Sequence, residues 1–306
     1  MSSVSIEEII DDLVNEDKLL LDSHLSNMSN LSLEELEILE RVWVTIKPKR
    51  RRQVIYRLVE LAEEYFELNF DNTFRQCLKD LDAEVRSKAI EGLWENEEIS
   101  LVEPLIRLLN TDNSEEVQAS AAKALGKFAM MAEHNKLRPI YASRLSQSLL
   151  AVINDDNRST EIRCRALEAA APLGMPEINK SITEAYQVNN TRFKISAVYS
   201  MGKNCNPDWL PIVLKELSST DIELRYEAAG ACGELGELEA VSYLTALIND
   251  PDIDVQMAVI GSLGRLGGPE AKMCLEQCLE DPSEAIRQSS EQALREIEEG
   301  EDLSIF

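Results

Sequence analysis

One pattern recurs along about three quarters of this chain at a nearly constant interval. An apolar residue, usually followed by a basic one, returns after 32, 45, 31, 31, 31 and 31 positions. The apolar anchors are Val85, Val117, Ile162, Phe193, Leu224, Val255 and Ile286. The interval of 45 is one 31-residue period plus a 14-residue insertion within residues 128–142. A period of this length predicts a stack of similar units, each of which covers the apolar face of the next.

Each anchor begins the same helical pattern. A mostly small residue follows after four positions and a mostly larger apolar residue after eight, which places all three on one stripe of an α-helix. The residues after four positions are Ala89, Ala121, Ala166, Ala197, Ala228, Val259 and Ser290. Their small size lets a neighbouring helix approach closely. A second, shorter apolar segment precedes each anchor, so every unit is predicted to be a pair of antiparallel helices.

Polar turn residues stand five positions before most anchors. They are Asp80, Asp112, Asn157, Asp250 and Asp281, and proline follows the last two. Asp and Asn are favoured at helix starts, so these residues are expected to cap the second helix of each pair. Val188 and Ser219 replace the acid in two units.

The motif D-P-x-x-x-V-R, followed by Ala and Leu-Gly at helical spacing, resembles a HEAT repeat, specifically the short form of bilin-lyase-like proteins. The resemblance covers residues 71–298. It implies an all-α, right-handed solenoid of about seven helix pairs. It also implies a structural ladder in which turn acids pair with the basic residues after the anchors. The ladder residues are Arg86, Arg163, Lys194, Arg225, Arg287, Asp80, Asp112, Asp250 and Asp281.

Four regions are expected along the chain. Residues 1–31 form an acidic N-terminal segment and linker, residues 32–70 a helical N-terminal cap, residues 71–298 the solenoid and residues 299–306 a C-terminal tail. Ser32 and Glu35 have the spacing of a capping box that opens the cap. A stack needs such a cap because its end unit would otherwise expose apolar core.

The second helices carry another stripe, three, six and ten residues after each anchor. In a stack this stripe forms the concave wall, which solenoids commonly use for binding. Its basic and aromatic members lie in the middle repeats, and we expect them to contact a partner. These residues are Lys123, Lys127, Arg165, Tyr199 and Lys203, with Tyr226 at the border of the wall. The alternative is a charged face that is simply solvated.

A dense basic cluster lies at Lys49, Arg50, Arg51 and Arg52. Positive charge at the start of a helix opposes the helix dipole, so local folding does not account for it. Two interpretations stay open: the cluster neutralises the acidic ends of the chain, or it forms a secondary basic patch for an anionic partner surface.

Composition narrows the class of partner. The 306 residues contain 31 Lys and Arg against 56 Asp and Glu, a net charge of −25. Such a charge repels phosphate backbones, so no nucleic-acid partner is expected. No apolar run has the roughly 18 residues that a membrane span requires, so no membrane contact is expected. Six cysteines without a C-x-x-C pair indicate free thiols and a cytoplasmic location.

Enzyme motifs are absent from the sequence. The resemblance includes iron-dependent hydroxylases built on this repeat, which need several His-Glu pairs, whereas this chain has two histidines, His24 and His134, and neither precedes a glutamate. We therefore predict a non-enzymatic protein without cofactor or metal. It would be a protein-binding scaffold, adaptor or assembly factor for another protein of unknown identity. The alternative is a bilin-lyase-like chromophore chaperone or lyase subunit.

Overall fold

The computed structural model describes the backbone of residues 6–15 and 18–303 and the side chains of residues 8–15 and 18–300. Residues 1–5, 16 and 17 of the predicted N-terminal segment and 304–306 of the predicted tail lie outside the described residues. Within that range the chain forms eighteen α-helices and no strand. The prediction of an all-α solenoid of helix pairs is confirmed.

Four helices precede the repeats, and seven pairs of helices follow. The first four are α1 (Ile6–Val14), α2 (Asp22–Leu25), α3 (Leu33–Trp43) and α4 (Pro48–Glu64). The first helices of the pairs are α5 (Asp71–Cys77), α7 (Val102–Thr111), α9 (Pro139–Ile153), α11 (Pro176–Gln187), α13 (Leu210–Glu216), α15 (Ala240–Leu247) and α17 (Gly268–Cys278). The second helices are α6 (Ala83–Gly92), α8 (Glu115–Glu133), α10 (Thr160–Ala170), α12 (Thr191–Asn204), α14 (Ile222–Leu235), α16 (Ile253–Leu266) and α18 (Glu284–Leu303).

The anchors of the repeat form the interior of the stack. Six of the seven are buried on their second helices, as the apolar stripe requires. Phe193 is the exception and is only partly buried. The guanidinium of Arg163 lies 5.1 Å from the centre of its ring, so a cation covers part of this anchor.

The helices divide into two compact units. The first comprises residues 1–128 and 137–148, and the second comprises residues 129–136 and 149–306. Helices α8 and α9 contribute to both units, and they contain the 14-residue insertion as two lengthened helices of 19 and 15 residues.

The second helices of the second unit approach each other closely. A Cβ added to Gly202 on α12 would stand 2.7 Å from the backbone of Ala231 on α14. A Cβ at Gly233 would stand 2.9 Å from the backbone of Ser262 on α16, and Gly264 meets Ala293 on α18 in the same way. The absence of side chains at these glycines is therefore what permits the packing.

The first helices of the same unit are spaced more widely. A groove of about 890 Å³ separates α13 from α15. Leu214, Leu217, Tyr243 and Leu247 supply much of its apolar lining. The closely packed second helices therefore form a continuous surface of this unit, whereas a groove interrupts the surface of its first helices.

The segment predicted as a linker is packed instead. Leu25, Met28 and Leu31 are buried in the first unit. The backbone N–H of Asn30 donates to the carbonyl of Asn69, and the hydroxyl of Ser29 accepts from the N–H of Asn69. The three-residue spacing of these apolar side chains, within a stretch rich in Ser and Asn, is the signal that the linker interpretation overlooked.

Two further helix ends bear on the expected boundaries. The capping box at Ser32 and Glu35 is present, with both of its hydrogen bonds formed. At the other end α18 continues to Leu303, so the region expected to be a tail from residue 299 begins as helix. In the part of the chain that the structure describes, no helix has the length and apolar character needed to cross a membrane.

Candidate functional site

The turn acids do not cap the second helices. The caps are Asp82, Asn190, Asp221 and Asp252, three residues before the anchors. The acids five residues before the anchors accept the backbone N–H two positions later, as Asp250 does from residue 252 at 2.9 Å. The capping expectation was wrong by two residues because an N-cap must lie next to the first helical turn.

Two of those turn acids, Asp112 and Asp250, instead receive an arginine from the preceding repeat. Arg86 on α6 donates to both carboxylate oxygens of Asp112, at 2.8 and 2.7 Å. Arg225 on α14 does the same to Asp250, at 2.7 and 3.0 Å. Arg225 holds the pKa of Asp250 below its usual value through these hydrogen bonds. Both pairs join neighbouring repeats, as the predicted ladder requires.

The ladder changes where the turn acid is missing. Ser219 takes the place of the acid opposite Lys194, and Lys194 pairs instead with Glu216 on α13 at 2.8 Å. Arg163, whose next turn has Val188, donates to Asp156 and to the carbonyl of residue 153. Arg287 lies on the last helix and donates to the carbonyls of Asp281 and Pro282.

Most residues of the basic cluster at the start of α4 form hydrogen bonds or ion pairs within the first unit. Arg50 and Arg51 are each only 5% exposed. Arg50 donates to two backbone carbonyls and Arg51 to Asp80, while Arg52 pairs with Asp82 at 2.7 Å. Lys49 is exposed. The structure therefore contradicts an exposed secondary basic patch of four residues, because carboxylates and carbonyls of the chain itself face three of them.

The two lysines of the predicted contact surface that lie on α8 have different roles. Lys123 is exposed. Lys127 donates to the carbonyls of Leu93 and Trp94, at 2.7 and 2.9 Å, where α6 ends. Burial lowers the pKa of Lys127 to about 8. Lys127 thus stabilises a helix C-terminus, and its ammonium is directed at these carbonyls rather than at a partner.

The remaining basic residues of the predicted surface lie in the second unit and are paired. Arg165 on α10 contacts Glu161 at 2.6 Å and Glu168 at 2.9 Å. Lys203 on α12 contacts Glu234 at 2.8 Å. The predicted basic centre is therefore neutralised by glutamates of the same and the neighbouring helix.

Arg192 was missed by the sequence analysis. It stands one residue before its anchor, outside the stripe that was searched, and reaches Glu161 and Glu168 at 2.8 Å each. Arg265 on α16 adds a weaker contact to Glu234, at 3.4 Å. A search for long basic side chains flanking the stripe would have found Arg192, whereas Arg265 already lies on the stripe, ten residues after Val255.

Glu227 is a carboxylate of this surface that none of these basic side chains pairs with. It lies on α14, three residues after its anchor, and it has no hydrogen bond or ion pair among the described residues. Burial, reinforced by the negative charges of Glu168 and Glu223, raises its pKa to about 7. Tyr199 on α12 has an unpaired hydroxyl, and burial raises its pKa.

Gly230 and Gly261 leave open space beside Glu227. A Cβ added to either glycine would meet nothing within 4 Å. Tyr226 is exposed nearby on α14. We call this surface of the second unit the polar wall. It consists of Glu161, Arg165, Glu168, Arg192, Tyr199, Lys203, Glu227, Gly230, Glu234, Gly261 and Arg265. The arrangement can bind a polar group at Glu227 and Tyr199, because the other charged members already satisfy one another.

No group of three or more His, Cys, Asp or Glu side chains in the described part of the chain converges on a possible metal position. His24 contacts Asp12 in the first unit. These residues do not fit the two-metal centre that the resemblance to hydroxylases implies, and no reaction step is assigned to such a centre.

The model of the family described as HEAT repeats matches residues 72–148 and 210–295, which together exceed half of the chain. The second match includes α13 to α17 and most of α18. The resemblance drawn from the turn motif is confirmed by this match.

Two curated relatives are enzymes. A deoxyhypusine hydroxylase of Candida albicans is 26% identical over 106 residues, 34% of this chain and 33% of its own length. A deoxyhypusine hydroxylase of Drosophila pseudoobscura is 28% identical over 107 residues, 34% and 35% of the two chains. This chain therefore spans about a third of the relatives it matches. The prediction that the protein is not an enzyme is contradicted by these relatives, because absent motifs say little about chemistry on a repeat scaffold.

Solved structures show the same fold. The complex of CpcE and CpcF of phycocyanin lyase from Nostoc sp. PCC7120 matches with a TM-score of 0.53 and 15% identity, covering 97% of this chain and 96% of that chain. Importin beta matches with a TM-score of 0.51 and 12% identity, covering 95% of this chain and 44% of the other.

Proposed function

We propose that this chain, which belongs to the HEAT-repeat family, binds a protein partner through the polar wall of its second unit. The observation that carries the proposal is the close approach of the second helices at Gly202, Gly233 and Gly264. Because these helices touch through small residues, side chains from consecutive helices adjoin and form one surface. A surface of this kind suits an extended or convex protein partner.

The charge pattern of the wall supports a binding role over a purely structural one. A structural network tends to satisfy its members, and the arginines and the lysine of the wall are satisfied. The carboxyl of Glu227 and the hydroxyl of Tyr199 are partly buried and have no hydrogen-bond partner in the described residues, although the Tyr199 ring lies 5.9 Å from Lys203 Nζ. Leaving partly buried polar groups unpaired costs free energy, and a bound partner would recover it.

The role of an assembly factor is consistent with the similarity to a solved protein complex. All six cysteines are free thiols, which supports the cytoplasmic location that belongs to this proposal. A lyase or chromophore-handling role rests on similarity of fold and has no feature of the polar wall in its favour.

Affinity capture from the native host tests the proposal. The wall variant combines Tyr226→Ala with Glu227→Lys. The control combines Met273→Ala with Glu276→Lys on α17, where both residues are exposed on a first helix of the same unit. The two variants remove one large side chain and reverse one charge each.

We expect the wild type and the control to retain the same protein and the wall variant to lose it. Thermal unfolding of both variants, measured first, excludes a loss through misfolding. The proposal is wrong if the wall variant folds and retains every protein that the wild type retains.

A further inference from the structure

We infer that the partner inserts a cationic side chain, from lysine or arginine, that pairs with Glu227 beside Tyr199. This inference rests on the proposed function and names the chemistry of the partner at the polar wall. Its starting point is the pairing of charges within the wall.

Each cation of the wall already has a carboxylate. Arg165 and Arg192 share Glu161 and Glu168, at distances of 2.6 to 2.9 Å. Lys203 and Arg265 share Glu234. Three of the wall's four carboxylates, Glu161, Glu168 and Glu234, take up all four of these cations, and Glu227 is left without one. The contact that the wall lacks is therefore a positive charge at Glu227.

The space beside Glu227 is open to a side chain from outside. Gly230 lies about one helical turn further along α14, and Gly261 holds the corresponding position on α16. Neither glycine has an atom within 4 Å of an added Cβ. A partner's long side chain can lie over these glycines with its charged end at Glu227.

A cation suits this position better than an anion or an apolar group. Two carboxylates of α14, Glu223 and Glu227, have no ion pair among the described residues, and both are negative when ionised. The chain carries a net charge of −25, which attracts basic partners over distances comparable to the Debye length. Tyr199 adds a hydroxyl that can accept a hydrogen bond from the cation, while its ring already lies 5.9 Å from Lys203 Nζ.

Binding at this position should depend on pH. The groups that act on Glu227 are Glu168 on α10, Arg192 and Lys203 on α12 and Glu223 on its own helix, while α16 presents the uncharged Ala258 and Gly261. The carboxyl of Glu227 has a pKa of about 7 and is largely neutral at pH 6. A cationic side chain would therefore bind more tightly at pH 8 than at pH 6.

The probe is a fluorescein-labelled eight-residue peptide of alternating Gly and Arg, measured by fluorescence anisotropy with the full chain at low salt. A peptide with citrulline in place of arginine has the same shape without the charge. Glu227→Gln is the test variant and Glu276→Gln the control, since both remove one carboxylate charge.

We expect Glu227→Gln to weaken peptide binding about fivefold at pH 8, as for a partly buried ion pair, and Glu276→Gln to leave it unchanged. The difference between wild type and Glu227→Gln should shrink at pH 6, and the citrulline peptide should not bind. Equal affinities of wild type and Glu227→Gln, or no binding of the arginine peptide to the wild type, would overturn the inference.

The outcome separates this inference from the proposed function. If Glu227→Gln leaves peptide binding unchanged while the wall variant still loses its captured protein, the wall binds a protein without the cation at Glu227. If the wall variant also keeps its captured protein, both proposals fail.

Discussion

Lys194 Nζ lies 2.8 Å from Oε2 of Glu216, and this pair occupies the ladder step that Arg225 and Asp250 form in the next repeat. The exchange is local. Ser219 at the turn has no negative charge to pair with Lys194. The carboxylate is instead supplied by Glu216 at the end of α13, which also accepts a hydrogen bond from the hydroxyl of Tyr186 at 2.5 Å. Both of these steps thus keep a pair of opposite charges with a buried carboxylate between neighbouring repeats.

Replacing Arg225 by alanine should lower the free energy of unfolding by about 3 kcal/mol, because it leaves Asp250 buried without its cation. The side chains of Arg225 and Asp250 are 11% and 3% exposed. Urea denaturation followed by circular dichroism measures the loss. Arg265→Ala, which removes a half-exposed partner of Glu234, is the control and should cost less than about 1 kcal/mol. Similar losses for both variants would show that the buried pair of Arg225 and Asp250 contributes no more stability than an exposed ion pair.

Glu216→Gln should destabilise the protein at pH 7 and lose this effect in acid. Burial raises the pKa of Glu216, but hydrogen bonds from Lys194 and Tyr186 outweigh it and lower the pKa below the ordinary value of 4.5. The ionised form therefore contributes stability above pH 4.5 that disappears as the pH falls through the lowered pKa.

The measurement is the difference in thermal midpoint between wild type and Glu216→Gln at pH 7, 5 and 3.5. The difference should be largest at pH 7 and smallest at pH 3.5. A difference that stays constant with pH would mean that the charge of Glu216 contributes nothing to folding.

Glu227→Gln should have the opposite pH dependence. The folded state raises the pKa of Glu227 to about 7, so the proton on this carboxyl favours folding below pH 4.5, and that advantage is lost as the pH rises through 7. We expect equal stability near pH 4 and a gain of about 1–2 kcal/mol for the variant at pH 8, with an allowance for partial solvation.

Chemical denaturation at pH 4.5, 6 and 8 checks this prediction, with Glu276→Gln as the exposed control. The control should show no trend with pH. A variant that is less stable than wild type at pH 8 would indicate a favourable contact of the Glu227 carboxylate within the chain.

Two glycines of the second unit should respond to alanine in opposite directions. Gly202→Ala places a methyl group 2.7 Å from the backbone of Ala231 and should cost about 1–3 kcal/mol. Gly230→Ala meets no atom within 4 Å and should gain up to about 1 kcal/mol from higher helix propensity. Thermal unfolding of the two single variants is sufficient, and a loss for Gly230→Ala would show that the open space beside Glu227 is needed for folding.

The periodic pattern determined the fold because the apolar stripe and the small residues recur in register. Val85 and Val255 are buried as predicted, and Gly202 and Gly264 stand where helices touch. These are local properties: they follow from which residue lies at which turn of a helix, and a sequence states that directly.

Tertiary structure alone decided which charges are available. The sequence predicted Arg50 and Lys127 to be surface cations, yet each donates to backbone carbonyls of another segment. In the sequence Glu227 is one of many acids. Only the structure shows that it has no ion pair, because Arg165, Arg192 and Lys203 pair with other glutamates. A charge pairs with whatever lies within a few ångströms in space, and in this solenoid that neighbour is commonly a residue one repeat away.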